Sequence, residues 1–271
     1  MSRYPGVEWV PWKYPSPTGR PTYYKGQNKP EACILHIQEG HAQTARQWAM
    51  EGHFGASWHF TVARSGHVMQ HLDFEDGGYH AGVADTQAST HPPVWPLWKG
   101  KGINVNHYTI GIEHEGFHNE PWPDVQREAS RSLCNWLAGQ LGIPSPADDA
   151  MVAGALGPGD RYLLHYPPHS AIDRINRVND FAPLAERRVF YEWLKAQGGD
   201  ALTPEERAML DELWRRTGGD AGKNFDLLKS IQNQQVALTG HIDDHPGSAD
   251  TVPEHKHTLS TINLTGGVQK P

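Results

Sequence analysis

The strongest constraint on the fold is a short apolar run at residues 32–37, Ala-Cys-Ile-Leu-His-Ile. A run of this kind is typical of a buried strand. A second strand is predicted at residues 108–115, Tyr-Thr-Ile-Gly-Ile-Glu-His-Glu. Because helical patterns follow these strands, we expect an α/β fold in which helices flank a mixed central β-sheet.

Other local patterns agree with this expectation. Residues 58–63 and 67–72 flank an Arg-Ser-Gly sequence, which is typical of a hairpin whose turn is supplied by Ser-Gly. Helices are predicted at about residues 44–50, 124–141 and 184–197. Residues 1–30 are expected to form an irregular arm, and residues 83–105 a long loop rich in Pro, Trp and Gly.

The chain has 271 residues, a length that allows one or two domains. We assign residues 1–200 to a main domain. A small helical appendix is expected at residues 201–240, where Thr203 and Pro204 are typical of a helix start. Residues 241–271 are polar and are expected to form a flexible tail.

Charge and hydropathy argue against two kinds of partner. The net charge of −7 argues against nucleic-acid binding, which needs clustered Lys and Arg. No segment approaches the ~20 apolar residues of a membrane span, so no membrane insertion is expected. The first residues lack the apolar core of a secretory signal peptide, so we expect synthesis in the cytoplasm.

Histidine is abundant, with 17 residues, whereas there are 2 cysteines. This balance favours imidazole and carboxylate ligands over thiolates for any metal site. Cys33 and Cys134 form no recognisable disulfide pattern and are expected to be buried thiols.

Two segments contain candidate metal ligands. His36 lies inside an apolar strand, where an unpaired imidazole would be costly, although a lone strand histidine is more often hydrogen-bonded in the core. A loop begins at His169 and returns to a carboxylate at Asp180, and it could present Arg177 to the open position of a metal. The alternative for this loop is a solvated polar segment.

Residues 110–116, Ile-Gly-Ile-Glu-His-Glu-Gly, contain candidates for proton transfer. Alternation along a strand places Glu113 and Glu115 on one face and His114 on the other. A carboxylate beside zinc can accept a proton from water and pass it to a leaving amine. The alternative is an edge strand whose charges face solvent.

Five segments, taken together, occur in the order found in one protein family. They are Leu-His at 35–36, Ser-Trp-His-Phe at 57–60, Gly-Tyr-His-Ala-Gly at 78–82, Ile-Gly-Ile-Glu-His-Glu-Gly at 110–116, and the loop from His169 through Arg177 to Asp180. This ordered set resembles the N-acetylmuramoyl-L-alanine amidase type 2 family, which includes phage endolysins and is similar to peptidoglycan recognition proteins. The resemblance covers about residues 30–183.

The resemblance implies a zinc-dependent catalytic domain and a role for each matching residue. The implied zinc ligands are His36, His169 and Asp180. The implied general base is Glu113, with Glu115 as its alternate, and Arg177 would stabilise the oxyanion. The residues implied to line the substrate groove are Trp58, Tyr79 and His80.

The sequence departs from the family pattern on either side of the implied ligands. Pro168 stands where the family usually has Gly, and Phe-Ala-Pro at 181–183 replaces Pro-Gly after the last ligand. His165 and Asp173 therefore stay open as alternates to His169 and Asp180.

The implied reaction is hydrolysis of the amide between N-acetylmuramic acid and the L-alanine of the stem peptide in peptidoglycan. A lytic enzyme without a signal peptide fits a phage or prophage endolysin that acts on the cell wall after release. One alternative is a recognition protein that binds peptidoglycan without cutting it. Another is a glycosidase that uses Glu113 and Glu115, ~7 Å apart on a strand, but this leaves His36 and His169 without a role.

Overall fold

The structure of the protein is a computed structural model that describes residues 3–81, 94–153, 161–173, 177, 180 and 184–195. Backbone contacts divide the chain into two units, Met1–Leu227 and Leu228–Pro271, and all described residues belong to the first unit. The predicted appendix at 201–240 and tail at 241–271 lie outside the described residues, so both stay predictions. Residues 83–93 of the predicted long loop also lie outside them.

A five-stranded mixed sheet forms the centre of the described part of the chain. Its strands are β1 (Glu8–Trp9), β2 (Ala32–Ile37), β3 (Phe60–Val62), β4 (Val68–Gln70) and β5 (Thr109–His114), in the order β1-β4-β3-β5-β2. Both β2 and β3 pair with β5 in parallel, whereas β3 and β4 form the predicted antiparallel hairpin. The expected α/β fold with a mixed central sheet is confirmed.

The α-helices of the described residues are α1 (Ala42–Glu51), α2 (Asp124–Leu141), α3 (His169–Ile172) and α4 (Leu184–Lys195), and Val105–His107 form a 3-10 helix. The predicted helices correspond to α1, α2 and α4, while the four-residue α3 was not predicted. A small antiparallel sheet of β6 (Met151–Ala153) and β7 (Arg161–Leu163) was not predicted either, because three-residue strands show too little alternation. No described helix is long and apolar enough to cross a membrane.

The central strands are apolar because the core surrounds them. Every side chain of β2 is buried. Helix α2 contributes Ala129, Leu133 and Leu137, all fully buried, to the same core cluster as the apolar residues of β2 and β5. A strand covered on both faces cannot tolerate polar side chains without partners, which makes the polar residues of these strands notable.

Cys33 and Cys134 are buried free thiols, as expected. Burial raises the pKa of the Cys33 thiol well above its ordinary value and that of Cys134 to about 12. Both thiols are therefore uncharged at neutral pH and poor nucleophiles.

The N-terminal arm is more regular than predicted. It contains β1, which pairs in parallel with β4, and this contact continues where the backbone amide of Trp12 donates to the carbonyl of His71 at 3.0 Å. Trp12 and Tyr23 are buried in a second apolar cluster that also contains Trp58. The arm therefore covers a sheet edge that would otherwise expose unpaired backbone groups.

The turn between β3 and β4 depends on Gly66. Its φ of +85° lies in the left-handed region, and a Cβ atom there would lie 2.9 Å from Cγ2 of Val125 in the first turn of α2. The turn therefore packs directly on α2 and has no space for a side chain.

We predict that Gly66→Ala lowers the free energy of unfolding by about 2–4 kcal/mol, because left-handed strain adds to overpacking against Val125. Gly19→Ala is the matched control, since Gly19 has a φ of +78° but nothing within 4 Å of the added Cβ. It should cost only about 1–2 kcal/mol. Urea denaturation measures both losses, and equal losses would contradict the packing role of Gly66.

Candidate active site

The parallel pairing of β2 with β5 places His36 beside Glu113. The two residues are partners in the register, so their side chains leave the same face of the sheet. His36 Nδ1 lies 3.9 Å from Glu113 Oε1. The carboxyl ends of two buried strands thus provide the first two groups of one site.

The chain before α3 brings a second histidine to this site. It runs along the outer edge of β2, where the backbone amides of Cys33 and Leu35 donate to the carbonyls of His165 and Pro167 at 2.8 and 3.0 Å. Helix α3 begins two residues later, at His169. The ring centroid of His169 lies 4.5 Å from that of His36.

Asp180 ties these elements together. Its Oδ1 accepts a hydrogen bond from the backbone amide of Ile37 at 3.0 Å. Its Oδ2 lies 2.8 Å from Nδ1 of His169 and 3.6 Å from Nδ1 of His36. One carboxylate thus connects the end of β2 with both imidazoles.

These three residues have the donor set of a metal site. Their candidate ligand atoms all lie within 4.8 Å of one another. Burial, together with the neighbouring His169, lowers the pKa of His36 to about 4, so this imidazole is neutral and offers a lone pair. Burial opposes ionisation of Asp180, but the hydrogen bond from His169 and the nearby imidazole of His36 outweigh it and lower the carboxyl pKa. Two imidazoles and a carboxylate fit a divalent metal that keeps an open position.

One further observation supports the fit. The Nε2 atom of His169 is buried and has no hydrogen-bond partner. An unpaired buried polar atom is costly in a folded protein. Beside two other groups of the kinds that bind metals, an unpaired imidazole nitrogen fits a metal site.

The structure does not bring the two alternates into this donor group. His165 instead donates from its backbone amide and pairs through Nδ1 with the buried Asp149 carboxylate, at 2.8 and 2.7 Å. Asp173 stays buried, with its backbone bonded to His169 and to Arg177. The geometry therefore favours His169 and Asp180, whose role as ligands stays a prediction.

Glu113 has the surroundings expected of a proton acceptor. Its side chain is 13% exposed, and its Oε2 is buried without a hydrogen-bond partner. Burial and the nearby Asp180 raise its pKa well above the ordinary value, while the positive charge of Arg177 partly opposes the shift. A carboxyl of this kind exchanges protons closer to neutral pH than an exposed glutamate does.

The alternate base Glu115 is not among the residues that line the pocket. Strand β5 ends at His114, so the predicted alternation with Glu113 does not extend to Glu115. Its carboxylate instead accepts a hydrogen bond from the backbone amide of Arg64 at 2.8 Å and lies 3.6 Å from His41. The hydrogen bond from Arg64 holds the start of the β3–β4 turn.

A pocket of about 510 Å³ lies over these groups. The residues predicted to line the substrate groove and to stabilise the oxyanion all contribute to it: Trp58, Tyr79, His80 and Arg177. Arg177 is exposed, so its guanidinium is available to a ligand. The pocket is also lined by Gln38, Glu39 and Trp48, which were not predicted. Their positions after β2 offered a signal, because residues that follow the carboxyl end of a central strand commonly line a binding crevice.

Two buried histidines around His36 were not recognised as its partners. His80 Nδ1 lies 3.1 Å from His36 Nε2. His114, on the opposite face of β5 from Glu113, donates from Nδ1 to the carbonyl of His36 at 2.9 Å and stacks on Trp122. Burial lowers the pKa of His114 to about 3, so it is neutral.

A family model described as N-acetylmuramoyl-L-alanine amidase matches residues 26–180. The chain belongs to this amidase family. The resemblance inferred from the ordered motifs is thereby confirmed.

Individual family members are distant in sequence. The 1,6-anhydro-N-acetylmuramyl-L-alanine amidase AmpD of Haemophilus influenzae is 30% identical over 79 residues, which cover 29% of this chain and 36% of that relative. The match therefore spans about a third of the relative's length.

Solved structures extend the comparison over more of the chain. AmpD, solved as a selenomethionine derivative, has 18% identity and a TM-score of 0.45, covering 70% of this chain and 99% of that one. The amidase LysC from Clostridium intestinale has 15% identity and a TM-score of 0.43, covering 72% and 100%. A mutant endolysin from Bacillus subtilis has 16% identity and a TM-score of 0.44, covering 69% and 97%.

We predict that the metal-free protein binds one divalent ion, with Zn²⁺ as the probe, and that His169→Ala and Asp180→Asn each weaken binding by about 100-fold or more, because each removes a ligand. The matched controls are His165→Ala and Asp173→Asn, which should keep the affinity of the unaltered chain. Competition with a chromophoric chelator measures all four. If His165→Ala loses zinc while His169→Ala keeps it, His165 is the ligand. The same comparison of Asp173→Asn with Asp180→Asn decides between the two carboxylates.

Proposed function

We propose that the protein is a zinc-dependent amidase that hydrolyses the bond between N-acetylmuramic acid and the L-alanine of the peptidoglycan stem peptide. The proposal rests chiefly on Glu113, whose side chain lines the same pocket as His36, His169 and Asp180 and whose Oε2 is buried without a hydrogen-bond partner. Membership of the amidase family over residues 26–180 supports the same chemistry.

The residues divide the reaction between them. Zinc held by His36, His169 and Asp180 would act as a Lewis acid on the amide carbonyl and lower the pKa of a water molecule. Glu113 accepts the proton of the attacking water as its oxygen bonds to the carbonyl carbon. The same carboxyl then donates this proton to the L-alanine nitrogen while the C–N bond breaks. The products are a lactyl carboxylate and a free amino terminus.

Arg177 would stabilise the negative charge that develops on the carbonyl oxygen. Its backbone carbonyl accepts a hydrogen bond from the amide of Asp180 at 3.0 Å, and its own amide donates to the carbonyl of Asp173 at 3.1 Å. The turn that carries a candidate ligand therefore also carries the guanidinium. Such preorganised donors commonly supply the largest part of transition-state stabilisation.

Two substrates of this chemistry need to be compared. We propose that the protein is a phage or prophage endolysin that, after synthesis in the cytoplasm and release, acts on the polymer of the cell wall. The AmpD relative is named for a 1,6-anhydro-N-acetylmuramyl-L-alanine substrate, which makes that compound the second substrate to test. Preference for the polymer over the 1,6-anhydro compound would support the endolysin.

We predict that digestion of purified peptidoglycan releases amino termini of L-alanine but no new reducing sugar ends, and that a chelator stops the release. Labelling of amino groups and a reducing-sugar assay measure the two products separately. New reducing ends would instead indicate a glycosidase. Binding of peptidoglycan without either product would indicate a recognition protein.

We predict that Glu113→Gln lowers the rate of amide cleavage by about 10²–10⁴-fold, because the amide keeps the shape of the carboxyl but cannot accept the proton. Zinc affinity should change little. Glu115→Gln is the matched control two residues away and should keep a rate close to that of the unaltered protein. Equal losses in the two variants would exclude Glu113 as the specific proton acceptor.

A further inference from the structure

The imidazole of His80 lies in a socket that the central sheet leaves open for it. The ring is almost fully buried and packs against the backbone of Gly111 in the middle of β5. A Cβ atom at Gly111 would lie 2.5 Å from Cγ and 2.7 Å from Nδ1 of His80. Glycine is therefore needed at this strand position to make space for one imidazole.

The backbone around His80 is also fixed by close contacts. The amides of His80 and Ala81 both donate to Oδ1 of Asn106, at 3.1 and 2.8 Å. A Cβ atom at Gly78 would lie 2.6 Å from the carbonyl oxygen of Ser57, so the chain before His80 also approaches its neighbour closely. The orientation of the His80 ring is thus fixed from several sides.

Hydrogen bonds determine which ring nitrogen of His80 carries the proton. The hydroxyl of Thr109 donates to the carbonyl of Val105 at 2.9 Å. Its oxygen, 3.2 Å from Nε2 of His80, therefore accepts a hydrogen bond from that nitrogen. A neutral His80 with its proton on Nε2 has a lone pair on Nδ1, which accepts from Nε2 of His36 at 3.1 Å.

The tautomer of His80 in turn determines the tautomer of His36, the candidate metal ligand. Because the proton of a neutral His36 is held on Nε2 by His80, its lone pair is on Nδ1. This is the atom that faces Oδ2 of Asp180 at 3.6 Å. The chain of hydrogen bonds from Val105 therefore selects the tautomer of His36 that can bind an ion beside Asp180.

We infer that His80 is a positioning residue that fixes the tautomer and orientation of His36 for metal binding, and that Gly111 serves this role by making space for the ring. The metal-binding part of this inference rests on the proposed function. Both ring nitrogens of His80 are engaged within the protein, so any contact with substrate would be made through ring carbons. A ligand histidine held in this way usually depends on its partner for affinity.

The first readout needs no metal. In the metal-free full-length protein, imidazole ¹⁵N shifts should show His36 in the Nε2–H tautomer. In His80→Ala the preference should be lost, because no acceptor holds the proton. If His36 keeps the same tautomer in a folded His80→Ala protein, the inference is overturned, whether or not the protein proves to be an amidase.

The second readout is Zn²⁺ affinity, measured by chelator competition on folded protein. His80→Ala and Gly111→Ala should each weaken binding by about 10–100-fold. In the double variant the loss should be no greater than in His80→Ala alone, because the ring that the added Cβ at position 111 would meet is gone. Gly139→Ala in α2, where nothing lies within 4 Å of the added Cβ, is the control and should bind zinc normally.

These outcomes separate the two claims. Zinc affinity of a folded His80→Ala protein within about twofold of the unaltered chain would overturn the positioning role, since loss of such a partner normally costs more. Additive losses in the double variant would overturn the role given to Gly111. An unaltered protein that binds no zinc would instead remove the proposed function, and the ¹⁵N readout would still decide whether His80 sets the tautomer of His36.

Discussion

The parallel pairing of β2 with β5 is the contact on which the site depends. It places His36 and Glu113 side by side on one face of the sheet, while His114 on the other face supports the carbonyl of His36. A shift of one residue in this register would move Glu113 to the opposite face and leave His114 in its place. The buried apolar side chains around both strands resist such a shift, so the core of the domain also determines the geometry of the reacting groups.

Burial then determines the charge of each group. His36 is kept neutral because its ring is removed from water and lies beside another histidine. Asp180 keeps its charge because the hydrogen bond from His169 and the nearby imidazole of His36 compensate for the same burial. Glu113 has no such bonds at Oε2, so its pKa rises. One environment therefore produces a neutral candidate ligand, a charged candidate ligand and a candidate proton acceptor, and the differences arise from hydrogen-bond partners.

Much of this arrangement was predictable because it is local in sequence. Strands β2 and β5 and helix α2 have long or clearly patterned segments, and alternation correctly separated Glu113 from His114. The prediction that Glu115 shares a face with Glu113 required β5 to continue through residue 115. Strand β5 instead ends at His114, and Gly116, two residues later, has a φ of +132°. The short elements β6, β7 and α3 contain too few residues for a periodic pattern to emerge.

The rest of the site depends on contacts between distant residues. Spacing alone could not separate His165 from His169, because the contact that favours His169 is the pairing of the His165 ring with the distant Asp149. The relation of His80 to His36 joins residues 44 positions apart. Gly111, recognised only as part of a motif, has its physical explanation in the ring that packs against it.

The most direct test of the account is anomalous diffraction at the zinc absorption edge from crystals of the full-length protein loaded with Zn²⁺. We predict a strong anomalous peak bounded by His36, His169 and Asp180, with the carboxyl of Glu113 facing it. A peak at His165 and Asp149, or at another histidine–carboxylate pair such as His67 and Glu8, with none at the predicted position, would contradict it.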